Sequence, residues 1–357
     1  MSSALRKDDT RSAGVASEGI RNNAARRAGK AKLLSPETTN NESCSASEIA
    51  KFNFFINCNI SIFIYNALKT SLKSRGLKMP ELPEVETIKS AICQSIGNCN
   101  IKDIIVNNNR LREKIPDDIG GKICGAAILG YRRIAKYIVI DLDNGISLIW
   151  HMGMSGKVKI TDEVPQHAEK HDHVLIITDN GCLTYNDARR FGLLTYCETE
   201  KLKQHRLFAR LGPEPLDSEF SAEYLYQKLK NKKVPIKVAI LDQEVVVGIG
   251  NIYASETLYK AGISPLRRAD KVTKKECRRI VESSHEVLKQ AIAAGGSTIH
   301  DYKKPDGSLG YFQNMHCVYG KTGQKCPNCI CDINKTGGIQ KIVQAGRSSF
   351  YCPTKQK

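Results

Sequence analysis

The chain has 357 residues, 54 of them Lys or Arg against 37 Asp or Glu, for a formal charge of +17. The length suits about two domains and 41% hydrophobic residues can build one or two cores, yet no run of about 18 apolar residues escapes polar interruption, which argues against a membrane span. So positive a balance makes a polyanion the first partner to consider, and thirteen scattered cysteines fit a reducing compartment with a local metal site better than a disulfide framework.

Residues 1–78 read unlike the rest. The first 48 are poor in large apolar side chains and cannot offset their ordering entropy. Residues 52–68 are apolar but interrupted by Asn53, Asn57, Asn59, Ser61 and Asn66, without a 2.0 or 3.6 period. Asp8, Asp9 and Glu18 count against an organelle-targeting segment. The expectation is that 1–78 are disordered or lie outside the working fold. From Glu84 to Gly97, Val85, Ile88, Ala91, Ile92 and Ile96 recur at helical spacing. Short β-rich stretches come next, at 101–106, 137–142, 147–152, 158–160, 174–178 and 193–196, with Asn144-Gly145 and Asn180-Gly181 as turns. That is the pattern of a β-sandwich or barrel. After Pro213 and Pro215 the texture turns helical, at about 219–230, 235–242, 251–261 and 271–293, and a Gly- and Cys-punctuated tail closes the chain. The fold class expected is α+β and multidomain: a β domain with its leading helix over 79–212, a helical domain over 213–316, and a small metal-like hairpin over 317–357.

The most informative string is Met79-Pro80-Glu81-Leu82-Pro83-Glu84-Val85-Glu86-Thr87. Proline and glutamate suit the first turn of a helix, which accounts for Glu84 and Glu86 but not for the whole string. Removing Met79 would expose a secondary amine with a pKa of about 8, a useful nucleophile near neutral pH. Attack on a sugar C1′ gives an iminium that acidifies the C2′ proton, and an adjacent carboxyl such as Glu81 can shuttle protons.

Together with a series of downstream motifs, this string resembles the formamidopyrimidine-DNA glycosylase family of bacterial repair enzymes. The resemblance runs from Met79 nearly to the C-terminus. It passes through Lys136-Tyr137, His151-Met152-Gly153-Met154-Ser155-Gly156, Lys170-His171-Asp172-His173, Asp187-Ala188-Arg189-Arg190-Phe191-Gly192, Leu211-Gly212-Pro213-Glu214-Pro215-Leu216 and Gly248-Ile249-Gly250-Asn251-Ile252-Tyr253-Ala254-Ser255-Glu256. It implies a β-sandwich carrying a catalytic helix, a helix–two-turn–helix domain and a zinc-finger-like hairpin. Pro80 would be the Schiff-base nucleophile, Glu81 the proton donor, Lys136 their partner in β-elimination and Arg347 the proton source in δ-elimination. A base inside a duplex must be flipped before an amine can reach its sugar, and side chains fill the hole. By resemblance those are Met154, Arg189 and Phe191, with Arg189 able to hydrogen-bond the estranged base and favour cytosine there. Asn251, Lys232 and His171 match positions on the DNA backbone, and Gly295-Gly296-Ser297-Thr298-Ile299 resembles the loop that covers the extruded base.

The metal site departs from the family pattern. Cys326-x-x-Cys329 and Cys352 stand where zinc ligands belong, but Lys355 occupies the fourth position and the spacer is longer than usual. Three thiolates plus water, no zinc at all, or Cys331 as substitute ligand are the alternatives. The activity implied is that of a bifunctional glycosylase and apurinic/apyrimidinic lyase for oxidised purines, one Zn²⁺ per chain. It would act as a monomer on double-stranded damaged DNA in a bacterial cytoplasm, nucleoid-associated, with an organelle as the minority view. Two other readings stay open: endonuclease VIII-like action on oxidised pyrimidines, and a non-catalytic nucleic-acid-binding protein should Pro80 remain an internal amide.

Overall fold

The computed structural model describes residues 79–297, 311–327 and 329–357; the expectation for 1–78 falls outside them, as do Thr298 and Ile299. Helix α1 (Leu82–Ile96) buries Leu82, Val85, Ile88, Ile92 and Ile96 on one face, the three-and-four spacing its sequence carries. Pro83 occupies the first turn, where no N–H is owed to the helix. Strands β1 (Ile101–Val106), β6 (Asp172–Thr178), β7 (Gly181–Asn186) and β5 (Lys157–Thr161) make one antiparallel sheet in that order. Strands β2 (Ile128–Ile134), β3 (Tyr137–Leu142), β4 (Ile146–His151) and β8 (Leu193–Glu198) make the second, and short helix α2 (Ile119–Ile123) bridges β1 to β2. Trp150 of β4 and Tyr185 of β7 meet edge-on, ring centres 5.3 Å apart, inside a core that the α1 isoleucines close. The result is a β-sandwich with a helix on its side.

The second core is helical: α3 (Ala222–Leu229), α4 (Ile236–Ile240), α5 (Asn251–Ala261) and α6 (Lys274–Ala293). Helix α6 starts where Thr273 and Glu276 exchange hydrogen bonds, the Thr273 hydroxyl accepting from Glu276 N–H and the Glu276 carboxylate from Thr273 N–H. A third, small core gathers Tyr259, Val318, Ile339, Phe350 and five cysteines, three of them buried, beside short helix α7 (Ile333–Thr336) and the hairpin β9 (Gln340–Gln344)–β10 (Arg347–Tyr351). Among the described residues no helix is long and apolar enough to cross a membrane.

Six of the eight sandwich strands lie where the sequence pattern places them, within two residues at either end. Strands β2 and β7 and helix α2 were not anticipated. Strand β2 is an edge strand carrying Gly130, Arg132 and Arg133, and β7 is buried on both faces over Gly181–Tyr185, so neither alternates cleanly.

Candidate active site and nucleic-acid interface

The first turn of α1 meets the first turn of α5. Glu81, 4% exposed, accepts hydrogen bonds from Ile252 N–H (3.0 Å) and Tyr253 N–H (3.3 Å), so the N-terminus of one helix holds the carboxylate that starts the other. Leu82 N–H donates to Gly248 O at 3.1 Å and completes the joint. A Cβ at Gly250 would fall 2.2 Å from the Glu81 carboxyl carbon, so only glycine lets the backbone come this close. Burial raises the Glu81 pKa above its ordinary value against the pull of Lys136 and the backbone N–H groups, which suits a proton source.

Lys136 sits at the tip of the β2–β3 hairpin, buried, with Nζ 3.5 Å from Ile249 O. Burial lowers its pKa, opposed by Glu81, which eases release of its proton. The tip is tied down from behind: Glu214 accepts from Ala135 N–H (2.6 Å) and from Arg133 (2.7 Å), and Arg133 also bonds Glu86 at 2.9 Å. Arg347, exposed at the start of β10, closes the far side. Glu81, Lys136, Met154, Asn251 and Arg347 share with Met79 a cavity of about 450 Å³. Pro80 is buried at its edge, between Met79 and Glu81.

Asn251 links the helical half to the hairpin, its Nδ2 donating to Ser348 O (2.9 Å) and Tyr319 Oη (3.2 Å). A lysine that the sequence motifs do not single out joins it. Lys237 of α4 is 1% exposed and donates to Asn251 Oδ1 (2.5 Å), Ser349 Oγ (2.8 Å) and Ser348 O (3.0 Å), with its pKa lowered to about 8 chiefly by burial. The signal was available: a lysine inside the apolar run Pro235-Ile236-Lys237-Val238-Ala239-Ile240 is not a solvated side chain. Lys232, which the resemblance matches to a DNA-backbone contact, does not line the cavity and pairs with Asp242 at 2.8 Å.

Two turns of the sandwich carry the three side chains expected to fill a void in DNA. Met154 is half-buried against the cavity, while Phe191 is 42% exposed with the Arg189 guanidinium 4.6 Å over its ring. Arg189 Nη1 is buried and has no hydrogen-bond partner among the described residues. Gly153, at φ 67°, lets the first turn lie against the second: a Cβ there would be 2.4 Å from Gly192 N. His151 Nδ1 accepts Gly153 N–H at 2.9 Å, and burial holds this imidazole neutral with a pKa lowered to about 3. His171 is half-buried beside these turns, its carbonyl accepting Asp187 N–H at 3.0 Å.

At the hairpin the sulfurs of Cys326, Cys329, Cys331 and Cys352 all lie within 4.8 Å of one another. Two of the separations are 3.4 Å (Cys326–Cys331) and 3.8 Å (Cys329–Cys352). A tetrahedron with Zn–S bonds of about 2.3 Å has edges of about 3.8 Å, so the four thiols fit a structural zinc ion. Of the alternatives the sequence leaves open, this favours Cys331 as the substitute fourth ligand. Cys331 places the fourth sulfur beside that of Cys326, and Lys355 lies with Nζ 4.1 Å over the Tyr259 ring instead.

Behind Glu81, Glu84 accepts from Tyr253 Oη (2.6 Å), Ser297 N–H (2.8 Å) and Glu81 N–H (3.0 Å). Burial first, then the Glu81 charge, raises its pKa to about 7. Its folded pKa therefore exceeds the ordinary 4.5, so its contribution to stability is full below pH 4.5 and is lost as pH rises through 7. Glu84→Gln should shallow that decline by up to about 3 kcal/mol between pH 4.5 and 8, leaving the slope due to Glu81. Urea unfolding at a series of pH values checks this; an unchanged slope would refute it.

A proline–glutamate pair beside a buried lysine thus lies where a β-sandwich, a helical domain and a cysteine hairpin meet. Residues 79–194 match the family model of the formamidopyrimidine-DNA glycosylase N-terminal domain, and 211–303 that of the formamidopyrimidine-DNA glycosylase H2TH domain. The formamidopyrimidine-DNA glycosylase of Rhodospirillum rubrum is 44% identical over 282 residues, covering 78% of this chain and 100% of the relative. That of Jannaschia sp. is 43% identical over 287 residues, with the same coverage. The MutM (Fpg) protein of Thermus thermophilus superposes with a TM-score of 0.68 at 33% identity, over 78% of this chain and 98% of that one. Lactococcus lactis Fpg bound to abasic-site DNA gives 0.70 at 33% identity, over 78% and 99%. The chain belongs to the formamidopyrimidine-DNA glycosylase family.

Proposed function

We propose that the protein removes oxidised purines, 8-oxoguanine and formamidopyrimidines, from double-stranded DNA and then cleaves the strand by β,δ-elimination. The Pro80 nitrogen, once an amine, forms its bond to C1′ as the C1′–base bond breaks, and a proton passes to the departing base or sugar oxygen. In the resulting iminium the C2′ proton is lost to a base and the 3′ C–O bond breaks, with Glu81 and Lys136 as the flanking acid and base. Arg347 serves the second elimination at the 5′ side. Asn251, Lys232 and His171 bear on the phosphates, with Lys237 behind Asn251, and Met154, Arg189 and Phe191 occupy the space left by the flipped nucleotide.

The observation that carries this reading is the buried Glu81 carboxyl, held by α5 and facing Lys136 next to Pro80. Zinc, held by Cys326, Cys329, Cys331 and Cys352, supplies a structural cross-link for the hairpin that presents Arg347. The same reading places the protein, as a monomer, on the nucleoid of a bacterial cytoplasm. The test is strand cleavage of an 8-oxoguanine·cytosine duplex by protein with a free Pro80 amine, beside an oxidised-pyrimidine duplex and an undamaged one. Preferential cleavage at 8-oxoguanine, ending in phosphate on both sides of the gap, is the expected result. Preference for the pyrimidine lesion would favour endonuclease VIII-like action, and binding without cleavage a non-catalytic role.

A further inference from the structure

The two turns that carry Met154, Arg189 and Phe191 share one buried anchor. Asp187 is 0% exposed. Its Oδ1 accepts from Ser155 Oγ (2.5 Å) and Arg189 N–H (3.2 Å), and its Oδ2 from Gly192 N–H (2.8 Å) and Tyr185 Oη (3.1 Å). A carboxylate has about four lone-pair sites, and four donors are aimed at this one. Ser155 Oγ, while donating to Asp187, accepts the Arg189 N–H at 3.1 Å, so the first turn also grips the second directly. The main chain of Asp187 is fixed as well, N–H to His171 O at 3.0 Å and O to His173 Nε2 at 2.7 Å. The donors so held belong to Ser155, which adjoins Met154, and to Arg189 and Gly192, which bracket Phe191. Asp187 does not line the cavity shared by Glu81, Lys136 and Arg347.

We propose that Asp187 is a positioning residue that binds the Met154 turn and the Arg189–Phe191 turn into one preformed wedge, on which nucleotide flipping and the choice of opposite base depend. The proposal rests on reading those three side chains as void fillers. A wedge assembled before contact enters a duplex with its side chains already in register, whereas two independent loops must be ordered at the moment of insertion. Because Asp187 is buried away from the cavity of Glu81, Lys136 and Arg347, its effect is confined to substrates whose nucleotide must leave a stack.

Asp187→Asn keeps the size and replaces one of the two acceptor oxygens with a donor. It is to be compared with the parent, both with Pro80 as an amine, on an 8-oxoguanine·cytosine duplex, an 8-oxoguanine·adenine duplex and a single-stranded abasic oligonucleotide. Duplex excision should fall about tenfold or more, on the scale of a misplaced positioning group, and the cytosine-over-adenine ratio should fall with it. Borohydride trapping on the single strand should stay within about twofold. Ser155→Ala should move both duplex readouts the same way by less and spare the single strand, which guards against failure of the first variant to fold. Equal loss on duplex and single strand in both variants, or no loss on the duplex, would overturn the proposal. A combined Met154→Ala, Arg189→Ala, Phe191→Ala protein that excises normally would show instead that the void-filling reading itself is wrong, and the proposal would fall with it.

Discussion

Protein released at Pro80 is expected to be trapped covalently by borohydride on an 8-oxoguanine duplex, and the same chain with Met79 still in peptide linkage is not. An internal proline nitrogen is a tertiary amide whose lone pair is delocalised into the carbonyl, so it cannot attack C1′. The preceding residue, Met79, also lines the cavity with Glu81, Lys136 and Arg347. Pro80→Gly, which keeps an amine but loses the secondary nitrogen, should lose much of the lyase step. Glu81→Gln should lower both glycosylase and lyase steps by about 10²–10⁴-fold, the usual range for a positioned acid. The rate should fall at low pH as the Pro80 amine protonates. It should fall again at high pH as Glu81 passes through its raised pKa and loses the proton it must give. Trapping of equal yield with Pro80 internal would remove it as nucleophile.

The second large effect concerns the hairpin. Cys331→Ser should weaken zinc retention about a hundredfold, since a quarter of the roughly 10–16 kcal/mol available to a structural zinc site is about 3 kcal/mol. Lys355→Cys should add nothing, because four sulfurs already converge and Lys355 is engaged over Tyr259. Metal content after dialysis against a chelator distinguishes these outcomes. Retention by Cys331→Ser equal to the parent would mean that this sulfur is not a ligand. Loss of metal should also free the hairpin that presents Arg347, so δ-elimination products should decline before β-elimination products do.

Much of this was readable in the chain itself. The i, i+3, i+4 spacing of Val85, Ile88 and Ile92 fixes the buried face of α1, and the alternating strands of the sandwich declare themselves wherever one face meets water. Strands β4 and β6, buried on both faces, still show as apolar runs, but β7, equally buried, carries Gly181, Cys182, Thr184 and Asn186 and shows neither a run nor a period. The motif residues around Pro80, Glu81, Lys136 and Arg347 are separated by up to 267 positions, yet they meet at one cavity, and only their resemblance to a family connected them beforehand. Lys237 escaped, whereas Cys331 was legible only as one alternative among three. Lys237 needs three dimensions to show that its ammonium has three oxygen partners. Cys331 could be named but not chosen from sequence, because spacing rules drawn from two-residue knuckles do not describe a Cys329-x-Cys331 pair.

Helix α5 begins at Gly250, a position where serine, threonine or asparagine would ordinarily serve well, yet the Glu81 carboxyl already stands where their side chains would go. The acid of the first half is, in effect, the capping group of the second. Neither half is therefore a free-standing module for recombination. A chimera that joins the sandwich of this chain to the helices of another protein keeps a working acid only if the incoming segment offers a bare backbone at this one point. Conversely, an aspartate placed at 81 would be one methylene too short to cap α5. The vocabulary open to position 250 is thus written by a residue nearly 170 places earlier, and the two must be inherited together.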